Sequence, residues 1–397
     1  MVAPRVLLLA TYPSEVPLHG GQRRVHAIAR SYRQAGWEVK QIGVFPRGSY
    51  ARGNTRAEHI ELSREFMSYL SRHSLRTDLH VHHYFAQNPR VLEQFIAAVE
   101  RFQPNVIQFE QPWLFPVLWP FIQSNRDKQL VAYSAHNVES ALLQDILLAE
   151  GHPRASEFVE ETRRLEEMLI SVADVTVCVT ELDAGVFSSM GAKNVVIAPN
   201  GADRRPSTAS ADWDGRFGNQ PYAFMTGSAH PPNCTGFLHF VGTDFAFVPP
   251  TAKVVVAGGM AALLAASPAF QRNHEMVRRR VLLLNNPEEA DLDYLINRAA
   301  VVLLPIAQGG GSNIKTAEAL LSGRPIVASS TAFRGYEAFR NSAGVTIEDN
   351  VGRFRHAVRM ALSKTPPTVA IRTEAESLLW ERCVFNIPSA MRNLVRV

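Results

Sequence analysis

Apolar residues come along this chain in short, unbroken runs. Val6–Ala10, Val39–Val44, Val106–Phe109, Leu130–Tyr133, Val175–Val179 and Val195–Ala198 are rich in β-branched and aliphatic side chains with little polar alternation, the pattern of strands covered on both faces. The stretches between them are long enough for helices. Arg23–Gln34 sets Val25, Ile28, Ala29 and Tyr32 at helical spacing and gives way at Gly36, a residue suited to ending a helix. Strand, helix and strand in that order form a βαβ unit and predict a parallel sheet.

The rhythm breaks at Asp203–Pro221, which is polar, carries Pro, Gly and Ser, and shows no periodicity, as a linker would. Strand signals resume at Tyr222–Thr226, Lys253–Ala257, Val281–Leu284, Val301–Leu304, Ile326–Ser329 and Gly344–Ile347, alternating with helix-length stretches such as Pro287–Arg298 and Ser312–Leu321. The expected architecture is α/β, with two tandem doubly wound Rossmann-like domains and a ligand cleft between them. The boundaries read from the pattern are residues 1–205, a linker at 206–221, a second domain at 222–371, and a C-terminal segment from 372 whose helix, Arg372–Arg382, packs back onto the first domain. Pro46–Asn88 is the least regular stretch and reads as a solvated insertion, although an acceptor-binding or membrane-surface lobe is the alternative, since its clustered Arg residues suit anionic headgroups.

Length and composition narrow the class. At about 150 residues per domain, 397 residues argue for two domains. No apolar run approaches the roughly 18 to 20 residues that span a bilayer. A formal charge of +4 is too small for a sequence-independent nucleic-acid binder of this size. Three widely separated cysteines without a C-x-x-C pair supply neither a zinc site nor a redox pair and suit a reduced, cytoplasmic compartment. The opening apolar run, Val6–Ala10, is too short for a signal peptide and reads as a first strand.

The segment with the most chemistry is Val301–Gly335, VVLLPIAQGGGSNIKTAEALLSGRPIVASSTAFRG. A strand ends at Pro305, Gly309, Gly310 and Gly311 follow, and a helix begins near Ser312 or Asn313. Glycines let backbone approach a ligand closely, and the free N–H groups at a helix start favour phosphate. The spacing is neither that of a P-loop nor that of a dinucleotide fingerprint. Lys315 and Glu318 lie three apart on one helix face, so a cation can meet a diphosphate while a carboxylate accepts from two ribose hydroxyls. A turn followed by a surface Lys/Glu pair is the alternative.

Other candidates are weaker. His136 and Glu110 each follow a strand, where an α/β site opens, and suit hydrogen bonding or proton transfer at a reacting centre. A buried structural histidine and a structural carboxylate are the competing interpretations. The His80-Val81-His82-His83 run lacks a Cys or carboxylate at ligand spacing, so zinc is not expected. Asp291-Leu292-Asp293 has the letters of a metal motif but lies in a helix-like stretch, where it reads as a solvated face. Trp113 and Trp119 flank a Pro-rich apolar stretch that suits core or a lipid-facing lip.

Several segments together resemble GT-B glycosyltransferases, especially family 4 and its relatives. The glycine loop, Lys315, Glu318 and the following G-R-P-I-V-A-S resemble that family's donor signature. Pro13 with His19-Gly20-Gly21-Gln22-Arg23-Arg24-Val25 resembles its loop after the first strand, and His136-Asn137-Val138-Glu139 its H-N-x-E. Ala173-Asp174 to Thr180, Pro199-Asn200-Gly201-Ala202-Asp203, and Gly227-Ser228 to Pro232-Asn233 resemble three further segments in the family's order. The resemblance implies that Gly227, Ser228, Gly309, Gly310, Gly311, Ser312, Asn313, Lys315 and Glu318 bind the donor. It also implies that Gly20, Gly21, Arg23 and Arg24 form a loop toward acceptor or diphosphate, and that His136, Lys315 and Glu110 serve catalysis.

The sequence departs from the family in two places. The first Glu of its E-x7-E motif is Gly310 here, and Gly227–Asn233 lacks the usual Arg/Lys pair, which leaves Lys315 as the leading cation with Arg23 or Arg24 as helpers. The expected activity is retaining, metal-independent hexosyl transfer from a nucleotide diphosphate sugar, UDP-type among the candidates, to a glycan, lipid-linked or small-molecule acceptor, as in polysaccharide biosynthesis. No cofactor and no nucleic acid are expected, and peripheral membrane contact is left open. The rival expectations are a sugar-nucleotide epimerase or hydrolase on the same scaffold, and a non-catalytic sugar-nucleotide-binding subunit.

Overall fold

The computed structural model describes residues 3–207, 210–308, 310–363 and 373–395. The chain divides into two compact units, one of Met1–Pro199 with Cys383–Val397 and one of Asn200–Arg382.

The first unit holds a parallel sheet of β1 (Arg5–Ala10), β2 (Glu38–Pro46), β3 (Ile60–Leu62), β4 (Val106–Phe109), β5 (Leu130–Ser134), β6 (Val175–Cys178) and β7 (Val195–Ile197). Their order is β3-β2-β1-β4-β5-β6-β7. The chain moves outward from β1 to β3, then crosses to β4 on the other side of β1. That reversal opens a crevice at the carboxyl ends of β1 and β4, where loops diverge and ligands bind. Leu7, Leu9, Ile107 and Phe109 are fully or almost fully buried in the core.

One expectation for this unit needs correction. Pro46–Asn88 is not a solvated insertion: it supplies β3 and the helices Arg64–Arg72 and His82–Gln87, and Leu62, Phe66, Leu70, Leu79, Val81 and Phe85 join the core. Its hydrophobic positions are spread among Arg and His, so no run betrayed them. Trp113 is buried and Trp119 packs against the same core, so the Pro-rich stretch is interior.

The second unit repeats the plan with β8 (Tyr222–Thr226), β9 (Lys253–Ala257), β10 (Val281–Leu284), β11 (Val301–Leu304), β12 (Ile326–Ala328) and β13 (Val345–Ile347), in the order β10-β9-β8-β11-β12-β13. Its reversal lies between β8 and β11. Phe224, Val255 and Val302 pack into one core cluster while their neighbours Ala223, Met225, Val254, Val256, Val301 and Leu303 pack into another. Alternate residues of a strand point to opposite faces, so two covered faces require unbroken apolar runs.

The stretch 206–221 is more than a linker. It carries the helix Ala211–Phe217, capped where Ser210 accepts from the Trp213 N–H, and Trp213 and Phe217 enter the core beside Tyr222. Seven residues are too few to show a helical period. At the C-terminal end, Arg372 lies outside the described residues, and the single helix expected over 372–382 is instead a 3-10 turn, Thr373–Leu378, and a short helix, Trp380–Cys383. A further helix, Asn386–Arg392, belongs to the first unit. There Asn386 Nδ2 donates to the Ile197 carbonyl at 2.9 Å, and Ser31 Oγ donates to the Val384 carbonyl at 3.2 Å. No described helix is long and apolar enough to cross a membrane.

Candidate active site

In the first unit, three loops meet at the β1/β4 crevice. His136 follows β5 and Glu110 follows β4, and the fold brings them together with His136 Nε2 3.2 Å from Glu110 Oε2. The Tyr12 hydroxyl stands 3.3 Å from His136 Nδ1. Behind Glu110, Gln108 Nε2 donates to Oε1 at 2.5 Å, and the Tyr32 hydroxyl donates to Gln108 Oε1 at 2.7 Å. A carboxylate only accepts, so this pairing places the ring proton on Nε2 and leaves Nδ1 to accept from Tyr12. Burial pushes the His136 pKa down and the Glu110 contact only partly opposes it, so the ring is neutral at pH 7.

Gly20 and Gly21 open the helix Gly20–Gln34, where His19 caps the Gln22 N–H and Gln22 Oε1 accepts from the Leu18 and His19 N–H groups. A Cβ on Gly21 would lie 2.8 Å from the Tyr12 hydroxyl oxygen, so the glycine lets this helix start approach Tyr12. His19 is held neutral, its pKa lowered to about 4 by burial and by His136 and Arg23. Gln111, directly after Glu110, has φ 150° and ψ 162°, a region that costs a non-glycine residue about 1 to 3 kcal/mol. Strain there fixes the chain as it leaves β4.

Two residues do not fill the roles expected of them. Glu110 has no exposed surface, so it is out of reach of an acceptor hydroxyl, and its carboxylate meets His136 and Gln108 instead. Arg24 is 1% exposed and donates to the Ala198 carbonyl at 2.8 Å, which makes it interior framework rather than a diphosphate contact. Arg23 is half-buried on the same helix. Glu139, missed as a titrating group, is buried with its pKa raised to about 8 by burial and then by neighbouring Glu166. Glu166 accepts from the N–H groups of Glu139 and Ser140 and from the hydroxyls of Ser140 and Tyr133. The acidic letter of the H-N-x-E segment thus sits beside a second carboxylate from a distant helix.

In the second unit, glycines let the loops after β8 and β9 approach each other closely. At Gly258, φ is +90° and a Cβ would meet the Gly227 carbonyl oxygen at 2.5 Å; a Cβ on Gly227 would meet Met260 Sδ at 2.6 Å. Gly258 was not anticipated, and its signal was the Gly-Gly pair directly after a strand. Across the β8/β11 crevice, Gly309 lies outside the described residues, Gly310 is half-buried, and Gly311 takes φ +58°. Arg334 Nε donates to the Gly311 carbonyl at 2.7 Å and Asn200 Nδ2 donates to the Ser312 carbonyl at 3.0 Å. Arg334 is thus a further cation at this loop that the motifs had not singled out. The Ser312 side chain is buried and its hydroxyl has no hydrogen-bond partner among the described residues.

Asn313 caps the helix Ile314–Leu321 through the Lys315 N–H. Lys315 Nζ donates to Asn233 Oδ1 at 2.7 Å, and Asn233 Nδ2 donates to the Ser228 carbonyl at 3.0 Å. Burial lowers the Lys315 pKa to about 8, against the opposing pull of Glu318. One turn on, Glu318 Oε1 accepts from Arg205 Nη2 at 2.9 Å. The Arg205 guanidinium also bonds Asp293 at 2.8 Å and Glu289 at 2.9 Å. The Asp291–Asp293 pair is therefore not a solvated face: Asp293 grips Arg205, and Asp291 accepts from the Trp213 indole at 2.7 Å. Among the described residues no group of three or more His, Cys, Asp or Glu converges as a metal site, the histidine run included.

No protein-family model matches this sequence, and no curated protein matches it. Solved structures do match its fold. Sucrose-phosphate synthase from Thermosynechococcus elongatus has a TM-score of 0.65 at 13% identity, over 99% of this chain and 95% of that one. Anabaena Alr3699/HepE, solved with UDP, has a TM-score of 0.65 at 14% identity, over 98% and 100%. The UDP-forming α,α-trehalose-phosphate synthase from Burkholderia xenovorans, solved with glucose-6-phosphate, has a TM-score of 0.61 at 14% identity, over 98% of each chain. The fold is that of the GT-B glycosyltransferases.

Proposed function

We propose that the chain is a retaining glycosyltransferase that moves a hexose-type sugar from a nucleoside diphosphate sugar to a hydroxyl of a glycan, lipid-linked or small-molecule acceptor. The observation that carries this is the start of the Ile314–Leu321 helix in the β8/β11 crevice. A glycine loop, a buried Ser312 hydroxyl without a partner among the described residues, Lys315 and Glu318 occur there within ten residues. A buried polar group without a partner calls for one from a ligand, and helix N–H groups beside a cation suit phosphate. Support also comes from the structural neighbours solved with UDP and with a sugar phosphate.

The chemistry follows from these groups. The bond from the sugar carbon to phosphate breaks, a bond from that carbon to the acceptor oxygen forms, and the acceptor proton passes to the departing phosphate oxygen. Negative charge grows on the leaving diphosphate, where fixed donors lower the barrier. Lys315 and the loop N–H groups supply that stabilisation, so the reaction needs no metal ion. Glu318 accepts from the ribose hydroxyls, and backbone N–H groups at Gly310 and Gly311 take the place of the missing side chain toward the sugar. In the first unit His136, its Nε2–H held by Glu110, accepts from a sugar or acceptor hydroxyl at Nδ1 once that hydroxyl takes the place of Tyr12.

The test is turnover of a panel of nucleoside diphosphate sugars with simple sugar acceptors in excess EDTA, with the product's anomeric configuration read by NMR. Glycoside formation with the donor's configuration is expected. Activity that returns only with Mg²⁺ or Mn²⁺, donor loss without glycoside, or binding without turnover would contradict it, the last two in favour of a hydrolase or epimerase and of a binding subunit.

A further inference from the structure

Arg205 lies just beyond the Pro199–Asp203 segment and carries no role in any motif. Its guanidinium is nevertheless surrounded by three carboxylates from two helices: Glu289 and Asp293 on Glu289–Arg298, and Glu318 on Ile314–Leu321. The Arg205 side chain is 12% exposed, Asp293 14% and Glu318 9%, so these three charges meet largely out of water, while Glu289, 65% exposed, closes the cluster from the solvent side. Asn297 extends the stripe, its Nδ2 donating to the carbonyls of Pro206 at 3.0 Å and Arg205 at 3.4 Å. Glu289, Asp293 and Asn297 recur every four residues on one helix face, with the two acids on the arginine's head and Asn297 on its backbone.

We propose that Arg205 is a positioning residue for the nucleotide ribose: braced on Asp293 and Glu289, it holds the Glu318 carboxylate in the orientation that accepts from both ribose hydroxyls. This rests on the assignment of Glu318 to the ribose. A carboxylate has about four lone-pair sites, and the Arg205 bond takes one of them, on Oε1. A planar guanidinium fixes direction as well as charge, which a lysine ammonium does not. Without it, Glu318 would be a buried carboxylate deprived of this cation, and such a group turns toward other partners.

Titration calorimetry tests this with whichever of UDP, ADP and GDP binds the wild-type protein most tightly, beside its 2′,3′-dideoxy analogue. The wild type should prefer the ribose form by about tenfold or more, and Glu318→Gln should erase that preference. If none of the three binds, or if Glu318→Gln keeps the preference, the ribose assignment falls and takes the proposal with it. Where the assignment holds, Arg205→Met should bind the dideoxy analogue as the wild type does while its ribose preference drops to about threefold or less, with partial recovery in Arg205→Lys. Asp293→Asn, which removes one brace and keeps the guanidinium, should lower the preference partway, and it decides the matter if Arg205→Met does not fold. Full ribose preference in Arg205→Met or Asp293→Asn, or an equal loss for both ligands, would overturn the positioning role.

Discussion

Lys315 Nζ donates to Asn233 Oδ1 at 2.7 Å, joining two segments 82 positions apart in the sequence. Lys315 starts the helix after the glycine loop, and Asn233 lies in the helix Pro231–Phe240 that follows β8. Under the proposed function, the contact sets Lys315 where it can stand in for the Arg/Lys pair expected after β8. This cation arrives from the other side of the crevice and is steadied by an amide.

With its pKa lowered to about 8, Lys315 sheds its proton above that pH in the ligand-free protein. Diphosphate restores the charge, so binding takes up a proton in alkaline solution. Affinity for a nucleoside diphosphate should hold from pH 6 to 7.5 and fall above pH 8, approaching tenfold per pH unit. Lys315→Arg should flatten that dependence, because a guanidinium stays charged. Lys315→Ala should lower kcat far more than affinity for the intact donor. Calorimetry across pH and steady-state kinetics check both, and an alkaline limb unchanged in Lys315→Arg would assign it elsewhere.

Glu139 gives a second pH effect, on stability rather than on binding. Its folded pKa, about 8, exceeds the ordinary 4.5, so between those values the folded state binds more protons than the unfolded one. Stability from this group therefore declines as pH rises from about 4.5 to 8 and is lost above. Glu139→Gln removes the titration and keeps an oxygen to accept from Gln111 and Asn137. The variant should melt higher than wild type at pH 9, with the gap closing toward pH 4.5, by calorimetric Tm. Parallel curves at all pH values would refute the assignment.

Gly236 sets the distance between the Pro231–Phe240 helix and the end of β11. A Cβ there would lie 2.0 Å from the Pro305 carbonyl oxygen, a backbone atom with little freedom to retreat. Gly236→Ala should destabilise the protein by about 1 to 3 kcal/mol through overpacking, despite the better helix propensity of Ala. A denaturant midpoint equal to wild type would show that the helix and Pro305 do not pack this closely.

The strands were legible because covered faces leave unbroken apolar runs, as at Val254–Ala257 and Val301–Leu304. The glycine loop and the Asn313 cap were legible because they are local. What the chain did not show was pairing across distance. Glu318 and Lys315 stood out as letters, but Arg205, Asp293 and Asn233 acquire meaning only when β8 and β11 are neighbours. The burial of Arg24 and Glu110 was likewise invisible, since charged residues are rarely interior and only contacts such as Arg24 with the Ala198 carbonyl reveal it. Pro46–Asn88 was misread because its core residues, Leu62, Phe66 and Leu70 among them, are diluted by surface charge.

The central claim is that a nucleoside diphosphate sugar is held at the Ser312–Glu318 helix start. Thermal melting with a panel of such sugars addresses it most directly, because a ligand at 100 times its Kd stabilises the folded state by about 2.7 kcal/mol. At least one donor should raise Tm by about 5 °C or more, and Glu318→Ala should abolish the shift while melting cooperatively without ligand. No shift with any donor, or an undiminished shift in Glu318→Ala, would contradict the account.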